Sequence, residues 1–403
     1  MAEGSASPTV PEPPLATDTT RSPELSEELE LLQQTVRDYV RDHVTPHAAK
    51  YDESESFPEI PWAKARELGL TAVTIPEAWG GSAMGTLAAS IVVEEISRVC
   101  PSTAVTLSVH NSLVSSAVAK HANDAQRARF LPKLASGEWL GAYCLSEAGA
   151  GTDAADQKAT AVRKGDRFVI NGAKLWITSG THAGLFVVFA RTSPSPDPEK
   201  RSRGVSCFVV ERATKGVSIG KKEEKLGIRA SPTTEVLFQD CEVPAENLLG
   251  ELDKGFRIAM DALDVGRIGI ASQALGIAQG CLDESLKYAR ERRQFGRPIA
   301  DFQAIQWKLA DMATGVDAAR LLTRRAARLR DAGEPCGKEA AMAKLFASTF
   351  ANRAADEAVQ IHGSAGYSRE YLVERLFRDA RITEIYEGTT EAQRMVIARA
   401  LLG

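Results

Sequence analysis

A chain of 403 residues with 49 basic and 53 acidic side chains carries a net charge of -4. That balance, with no Lys/Arg-rich block, excludes a nucleic-acid binder that works by bulk electrostatics. Apolar residues at 44% and charged residues at 25% are the mix of a globular protein, and the length provides for two or three domains.

Residues 1–23 hold five prolines and no regular apolar pattern, which predicts a disordered tail. The tail has no apolar signal-peptide centre, and its first basic residue, Arg21, follows Glu3, Glu12 and Asp18, which weakens secretory and organelle-import readings. A helical domain is expected over 24–140. Leu29, Leu32, Val36 and Tyr39 recur at steps of three and four, and Pro46 is the expected stop. Further helices are predicted over 59–68, closed by Gly69, and over 86–99, 103–119 and 124–135. The uncharged stretch 99–119 is long enough to cross a bilayer, but it contains Pro101 and nine Ser, Thr, Asn or His residues. Polar groups at that density predict a buried helix and no membrane span.

Over 141–250 the pattern turns to strands, at 168–170, 175–178, 185–190, 205–210 and 233–238, with Asn171-Gly172 as an expected hairpin turn and 193–203 as an exposed loop. Helical spacing returns over 251–403, at 255–292, 302–331, 338–362 and 391–402. No charge interrupts Ile268 to Leu282, so that helix should be wrapped by protein on every side. Helices, strands and helices again predict an α+β multidomain chain, with no repeat of solenoid length. The six cysteines, at 100, 144, 207, 241, 281 and 336, form no CxxC pair. That argues against disulfides and zinc and for a reducing, cytoplasmic compartment; no HExxH or Cys/His cluster suggests any other metal.

Three segments can carry chemistry. The first runs from Tyr143 through Leu145, Ser146, Gly149 and Gly151 to Thr152. Its glycines would let backbone amides approach a diphosphate while Ser146 and Thr152 offer hydroxyls. It also reads as a tight glycine-rich connection, and it is not the GxGxxG of a nicotinamide site. In the second, Trp176, Ile177 and Thr178 could wall and hydrogen-bond a flat heteroaromatic ring, or Trp176 could be an ordinary core aromatic. The third is Tyr386-Glu387-Gly388-Thr389-Thr390-Glu391. A carboxylate in an apolar loop followed by glycine has the form of a general base with a raised pKa, and the same letters also suit a helix-capping box.

In order and spacing these segments, with 222–229 and the run from Leu263 to Gln279, resemble the acyl-CoA dehydrogenase family, closest to its short-chain, butyryl-CoA branch. The resemblance covers the chain from about Leu25 to the C-terminus. It implies an N-terminal helical domain, a middle β-barrel-like domain and a C-terminal four-helix bundle, assembled as a homotetramer. It further implies FAD, with Tyr143, Leu145, Ser146, Gly151, Thr152, Trp176, Ile177, Thr178, Thr389 and Glu391 as flavin contacts. Arg292, Phe295, Gln303, Gln360, Ile361, His362, Gly363 and Ser364 match contacts to the dinucleotide, partly across a subunit boundary. Gly363-Ser364 stands where the family has paired glycines. Thr152, Asp264, Val265, Gly266, Arg267 and Gly388 match the acyl-CoA contacts.

Glu387 matches the catalytic base. Some branches place that carboxylate at the position of Gly266, and glycine cannot remove a proton. The implied reaction takes an acyl-CoA to its trans-2-enoyl-CoA in fatty acid β-oxidation, Glu387 removing the α-proton and the flavin the β-hydride. Electrons then pass to an electron-transfer flavoprotein. An oxygen-using acyl-CoA oxidase relative and a non-catalytic scaffold of the same fold remain as alternatives. The pair Asp264 and Arg267 reads as an ordering device or as a plain i, i+3 surface pair. His110 reads as a hydrogen-bonded core or cap residue.

Overall fold

The computed structural model describes residues 25–195, 197 and 201–403. The expected tail and part of the 193–203 loop lie outside the described residues.

Ser26 caps the first helix, α1 (Glu27–Tyr39), its side chain accepting from the Leu29 amide at 3.4 Å. The expected stop at Pro46 does not occur. A π-helical segment, Val40–Val44, widens the turn, and α2 (Thr45–Ser54) starts with Pro46 in its first turn, where the missing N–H costs no helical bond. α3 (Glu59–Glu67) and α4 (Gly85–Ser97) follow. The stretch expected as one helix over 103–119 is α5 (Pro101–Ser108), a π segment (Val109–Ser115) and α6 (Ser116–His121). α7 (Asp124–Ala135) opens on a capping box between Asn123 and Gln126. His110 is fully buried and is the hydrogen-bonded core residue expected. Its Nε2 stands 3.1 Å from both the Thr71 and Leu134 carbonyls, and its Nδ1 accepts from the Gly141 amide at 3.1 Å. Burial lowers its pKa to about 4, so the ring is neutral at pH 7. No helix among the described residues is long and apolar enough to cross a membrane.

The middle of the chain forms one eight-stranded sheet, ordered β6-β7-β3-β2-β4-β5-β8 with β1 paired to β4. Its strands are β1 (Leu140–Cys144), β2 (Thr160–Lys164), β3 (Arg167–Thr178), β4 (Ala183–Arg191), β5 (Val205–Glu211), β6 (Val217–Lys222), β7 (Thr233–Pro244) and β8 (Leu248–Leu249). Pairing is antiparallel except for β1 with β4 and a single parallel contact of β2 with β4. Phe168, Phe186, Phe208 and Phe238 meet in one core, so the sheet curls round it, while Leu185, Val187, Phe189 and Val209 on the opposite face pack against helices.

One strand prediction fails. Segments 168–170 and 175–178 are a single strand, and Asn171-Gly172 is a break in its register with β7 instead of a hairpin turn. Gly172 has φ 149° and lies so close to Ala159 that a Cβ there would come within 2.5 Å of it. The hairpin between β2 and β3 turns at Gly165-Asp166, with Gly165 at φ 64°. An NG pair between apolar runs marks a bulge as well as a turn, because both need backbone that side chains disfavour.

The last part is helical: α8 (Gly255–Glu291), a two-stranded ribbon of β9 (Arg293–Gln294) and β10 (Arg297–Pro298), α9 (Gln303–Asp331), α10 (Gly337–His362), α11 (Leu372–Ala380) and α12 (Thr390–Leu402). Every residue from Ile268 to Leu282 is buried, as the missing charges implied. The 222–229 segment straps the three parts together. Gly227 lies against the Arg378 carbonyl, where a Cβ would come within 2.3 Å, and the Ile228 amide donates to the Asp379 carboxylate at 2.5 Å. Arg229 pairs with Glu55 at 2.8 Å, and Arg378 reaches Asp52 at 2.8 Å.

Candidate active site

Helix α8 needs a glycine at 266. A Cβ on that residue would lie 2.1 Å from Glu387 Oε2 and 2.7 Å from a Leu113 methyl group, so no side chain fits while the carboxyl stays in place. Glu387 reaches this position from the turn before α12 with a left-handed backbone, φ 51°, followed by Gly388 at φ 95°. The residue keeps some exposure, but Oε2 is sealed from solvent and has no hydrogen-bond partner among the described residues. Burial raises the carboxyl pKa from 4.5 to about 7, against the opposing charges of Lys344 and Arg267. A carboxyl of this kind exchanges a proton near neutral pH.

The turn is held from two helices. Lys344 of α10, fully buried, donates to the Gly388 carbonyl at 2.6 Å, and Gln393 of α12 donates to the same oxygen at 2.7 Å. Tyr386, next to the carboxylate, donates to Gln273 of α8. Thr389 is the N-cap of α12, its hydroxyl accepting from the Ala392 amide at 3.3 Å, and Glu391 is exposed in the first helical turn. The capping reading and the inward carboxylate therefore hold together, on adjacent residues: Thr389 caps and Glu387 points in.

Asp264 and Arg267 are not a surface pair. Arg267 is buried and bonds Asp264 at 2.6 Å, and a Cβ on Gly337 at the start of α10 would come within 3.1 Å of the Asp264 carboxyl. Val265, between them, is buried. Tyr143 of β1 donates to the Ala259 carbonyl of α8 at 3.2 Å, and the Glu387 charge helps raise its pKa, after burial. The strand that opens the glycine-rich segment is thereby brought to the carboxylate.

Beyond Tyr143 the chain opens outward. Leu145 is buried, Ser146 is half-buried, and Gly149, Gly151 and Thr152 are exposed; a Cβ on either glycine would meet no atom within 4 Å. The chain's own packing does not ask for these glycines. Trp176 is 61% exposed, at φ 60°, on a bulge of β3 between Lys174 and Ile177, so the core reading of this indole is wrong. Ile177 is buried beneath it and Thr178 is half-buried. An open glycine-rich loop beside a solvent-facing indole fits a flat, anionic ligand.

The two segments are joined by residues the sequence reading missed. Lys174, fully buried, gives its three protons to the Leu145 carbonyl at 3.0 Å, Glu147 Oε1 at 2.7 Å and Gln157 Oε1 at 3.1 Å. Glu147 also accepts from the Lys158 and Ala159 amides, at 2.6 and 3.0 Å. The signal for Lys174 was a lone charge inside a strand-forming run, and for Lys344 a lone charge in the Ala-rich run 340–347. Either fits a solvated face equally well until the packing is known.

The remaining site candidates gather at the other end of the helical bundle. Arg292 ends α8, Phe295 is 93% exposed on the β9-β10 ribbon, and Gln303 is exposed at the start of α9. Gln360, Gly363 and Ser364 are exposed at the end of α10, with Ile361 and His362 buried. The stacking of His362 on Tyr288, ring centroids 4.2 Å apart, brings the ends of α8 and α10 together.

Comparison with known proteins covers all three parts of the chain. Models of the acyl-CoA dehydrogenase N-terminal, middle and C-terminal domains match residues 26–138, 142–241 and 253–402. The mitochondrial short-chain specific acyl-CoA dehydrogenase of Mus musculus is 49% identical over 95% of this chain and 92% of its own. The structure of butyryl-CoA dehydrogenase from Megasphaera elsdenii superposes with a TM-score of 0.91 at 41% identity, covering 95% of this chain and 100% of that one. A chain in a structure described as the electron transferring flavoprotein of Acidaminococcus fermentans superposes with a TM-score of 0.92 at 42% identity, with the same coverage.

Proposed function

This chain belongs to the acyl-CoA dehydrogenase family, and from that premise we propose that it dehydrogenates short-chain acyl-CoA with Glu387 as the base. The observation that carries this reading is the sealed Oε2, packed against Gly266 with a pKa near 7. As carboxylate, Glu387 takes the α-proton; its fixed turn holds it where an acyl chain beside Gly266 and Gly388 would present that hydrogen. In this reading Asp264, Val265 and Arg267 of α8 and Thr152 of the glycine-rich loop would contact the acyl-CoA. A dry acyl chain entering the site would exclude water from the carboxyl and make it a stronger base.

The family uses FAD. In this reading Tyr143, Leu145, Ser146, Gly151, Thr152, Trp176, Ile177 and Thr178 form its cradle, with Thr389 and Glu391 at the base turn. Bound FAD supplies the hydride acceptor. Arg292, Phe295, Gln303 and the Gln360 to Ser364 stretch would serve a neighbouring copy in a homotetramer. The exposed Phe295, Trp307 and Leu321 support such an assembly. We further read the chain as divided at 24–140, 141–250 and 251–403, as cytoplasmic on the strength of six buried free thiols, and as passing electrons to an electron-transfer flavoprotein.

The test is Glu387→Gln followed by anaerobic mixing with butyryl-CoA. The variant should remain yellow and lose nearly all flavin bleaching; bleaching at the normal rate would remove Glu387 from the chemistry. Rapid peroxide formation by the unaltered enzyme without an added electron carrier would turn the reading toward an oxidase.

A further inference from the structure

Glu387 and Gly388 both hold left-handed backbone, at φ 51° and 95°. A non-glycine residue remains there only where its surroundings over-determine it. Much of that constraint arrives from α10, through the bond of Lys344 Nζ to the Gly388 carbonyl at 2.6 Å. An ammonium with no exposed surface is costly to bury, and a neutral carbonyl does not neutralise it. The charge must be balanced nearby, and the unpaired Glu387 Oε2 is on the same turn.

We propose that Lys344 is a positioning residue for the base, pinning the 387–388 turn through the Gly388 carbonyl and keeping the Glu387 carboxyl ionised by its charge. This rests on the reading of Glu387 as the base. The groups acting on Glu387 are Lys344 from α10 and Arg267 from α8, with Tyr143 from β1 and Tyr386 on its own turn. Lys344 in turn faces Glu387, Glu384 and Glu391 as anions and Arg267 as a second cation. Arg267 is already bound to Asp264 at 2.6 Å. Burial drives the carboxyl up to about 7 and the ammonium down to about 8, so each holds its charge with help from the other.

The experiment uses the FAD-loaded enzyme and the pH profile of kcat/KM for butyryl-CoA. Lys344→Gln keeps a donor to the carbonyl and loses the charge; Lys344→Met loses both. The acid limb should move up by ~1 pH unit in both variants. At high pH Lys344→Gln should recover to within a few-fold of the unaltered enzyme, while Lys344→Met stays about tenfold lower because its turn is then held by Gln393 alone. An unmoved acid limb in Lys344→Gln overturns the proposal, and so does loss of FAD in both variants, which would mark the lysine as structural. If only the Met variant sheds FAD, the Gln profile decides. Glu387→Gln separates the two readings: normal bleaching in it defeats the base assignment, whereas an inactive Glu387→Gln beside unmoved Lys344 limbs defeats only the role of the lysine.

Discussion

The base turn and the glycine-rich loop differ in what completes them. Around Glu387 the chain supplies everything: Gly266 behind the carboxyl, Leu113 beside it, and Lys344 and Gln393 on the turn. Around Gly149 and Gly151 it supplies nothing within 4 Å of where a side chain would begin, although Lys174 ties the start of the loop firmly to β3. One region is finished by packing. The other is a held frame with an open face, and the two meet at Tyr143.

The contrast can be broken by substitution. The largest effect is expected from Glu387→Gln, which should lower the rate of flavin bleaching by ~10²- to 10⁴-fold with FAD retained, measured by stopped flow. Gly266→Ala should come next: the added methyl group contests the space of Oε2, so kcat should drop by ~10- to 100-fold with a smaller change in KM. Lys174→Met leaves the half-buried Glu147 carboxylate with its two amide donors but without its cation. It should cost ~3–5 kcal/mol in denaturant unfolding and weaken FAD binding when apoprotein is titrated. Gly151→Ala, in open space, should leave the melting temperature of the apoprotein unchanged and weaken FAD binding only. If instead it destabilised the apoprotein as Gly266→Ala disturbs the base, the loop would be part of the chain's own packing.

The smallest effect sharpens the electrostatic half of the comparison. The Glu387 pKa is raised on folding, from 4.5 to about 7, so the folded state holds the proton more tightly than the unfolded one. Ionising it therefore costs stability, progressively from pH 4.5 to 7 and constantly above. Glu387→Gln escapes that cost and should be ~1–3 kcal/mol more stable than the unaltered enzyme at pH 8, with the difference shrinking toward pH 4.5. Activity has the same origin and should rise with pH through about 7. A stability difference between the two proteins that stays the same across this range would show that the carboxyl is better solvated than its packing indicates.

The long helices were legible because periodic apolar positions survive any tertiary arrangement: α7 coincides with the expected 124–135, and α9 and α10 fall within one residue of theirs. Strand ends and turns were less so. Asn171-Gly172 has the local chemistry of a hairpin, and only the pairing of β3 with β7 along its whole length makes it a bulge. Pro46 reads as a terminator of a single regular helix, and the π segment before it is invisible to a 3.6-residue pattern. Trp176 shows the same ambiguity for a side chain: alternation places it on a strand, but the bulge, which turns it out to solvent, depends on the neighbouring strand.

Composition and periodicity were enough to mark the division into helical, β and helical parts, because that depends on residue type and short-range spacing; for Glu387 and the glycine-rich loop they left a base or a cap, a ligand site or a tight connection, and only the family resemblance chose between them. Which charges are buried, and against what, came only with the packed chain. Lys174 and Lys344 are each a single lysine in an apolar run, and their partners stand 27 and 44 residues away. The pKa of Glu387 likewise arises from contacts among β1, α8, α10 and the turn before α12, which meet only when the chain closes on itself. Coulombic and desolvation energies depend on distance in space, and a sequence records only distance along the chain.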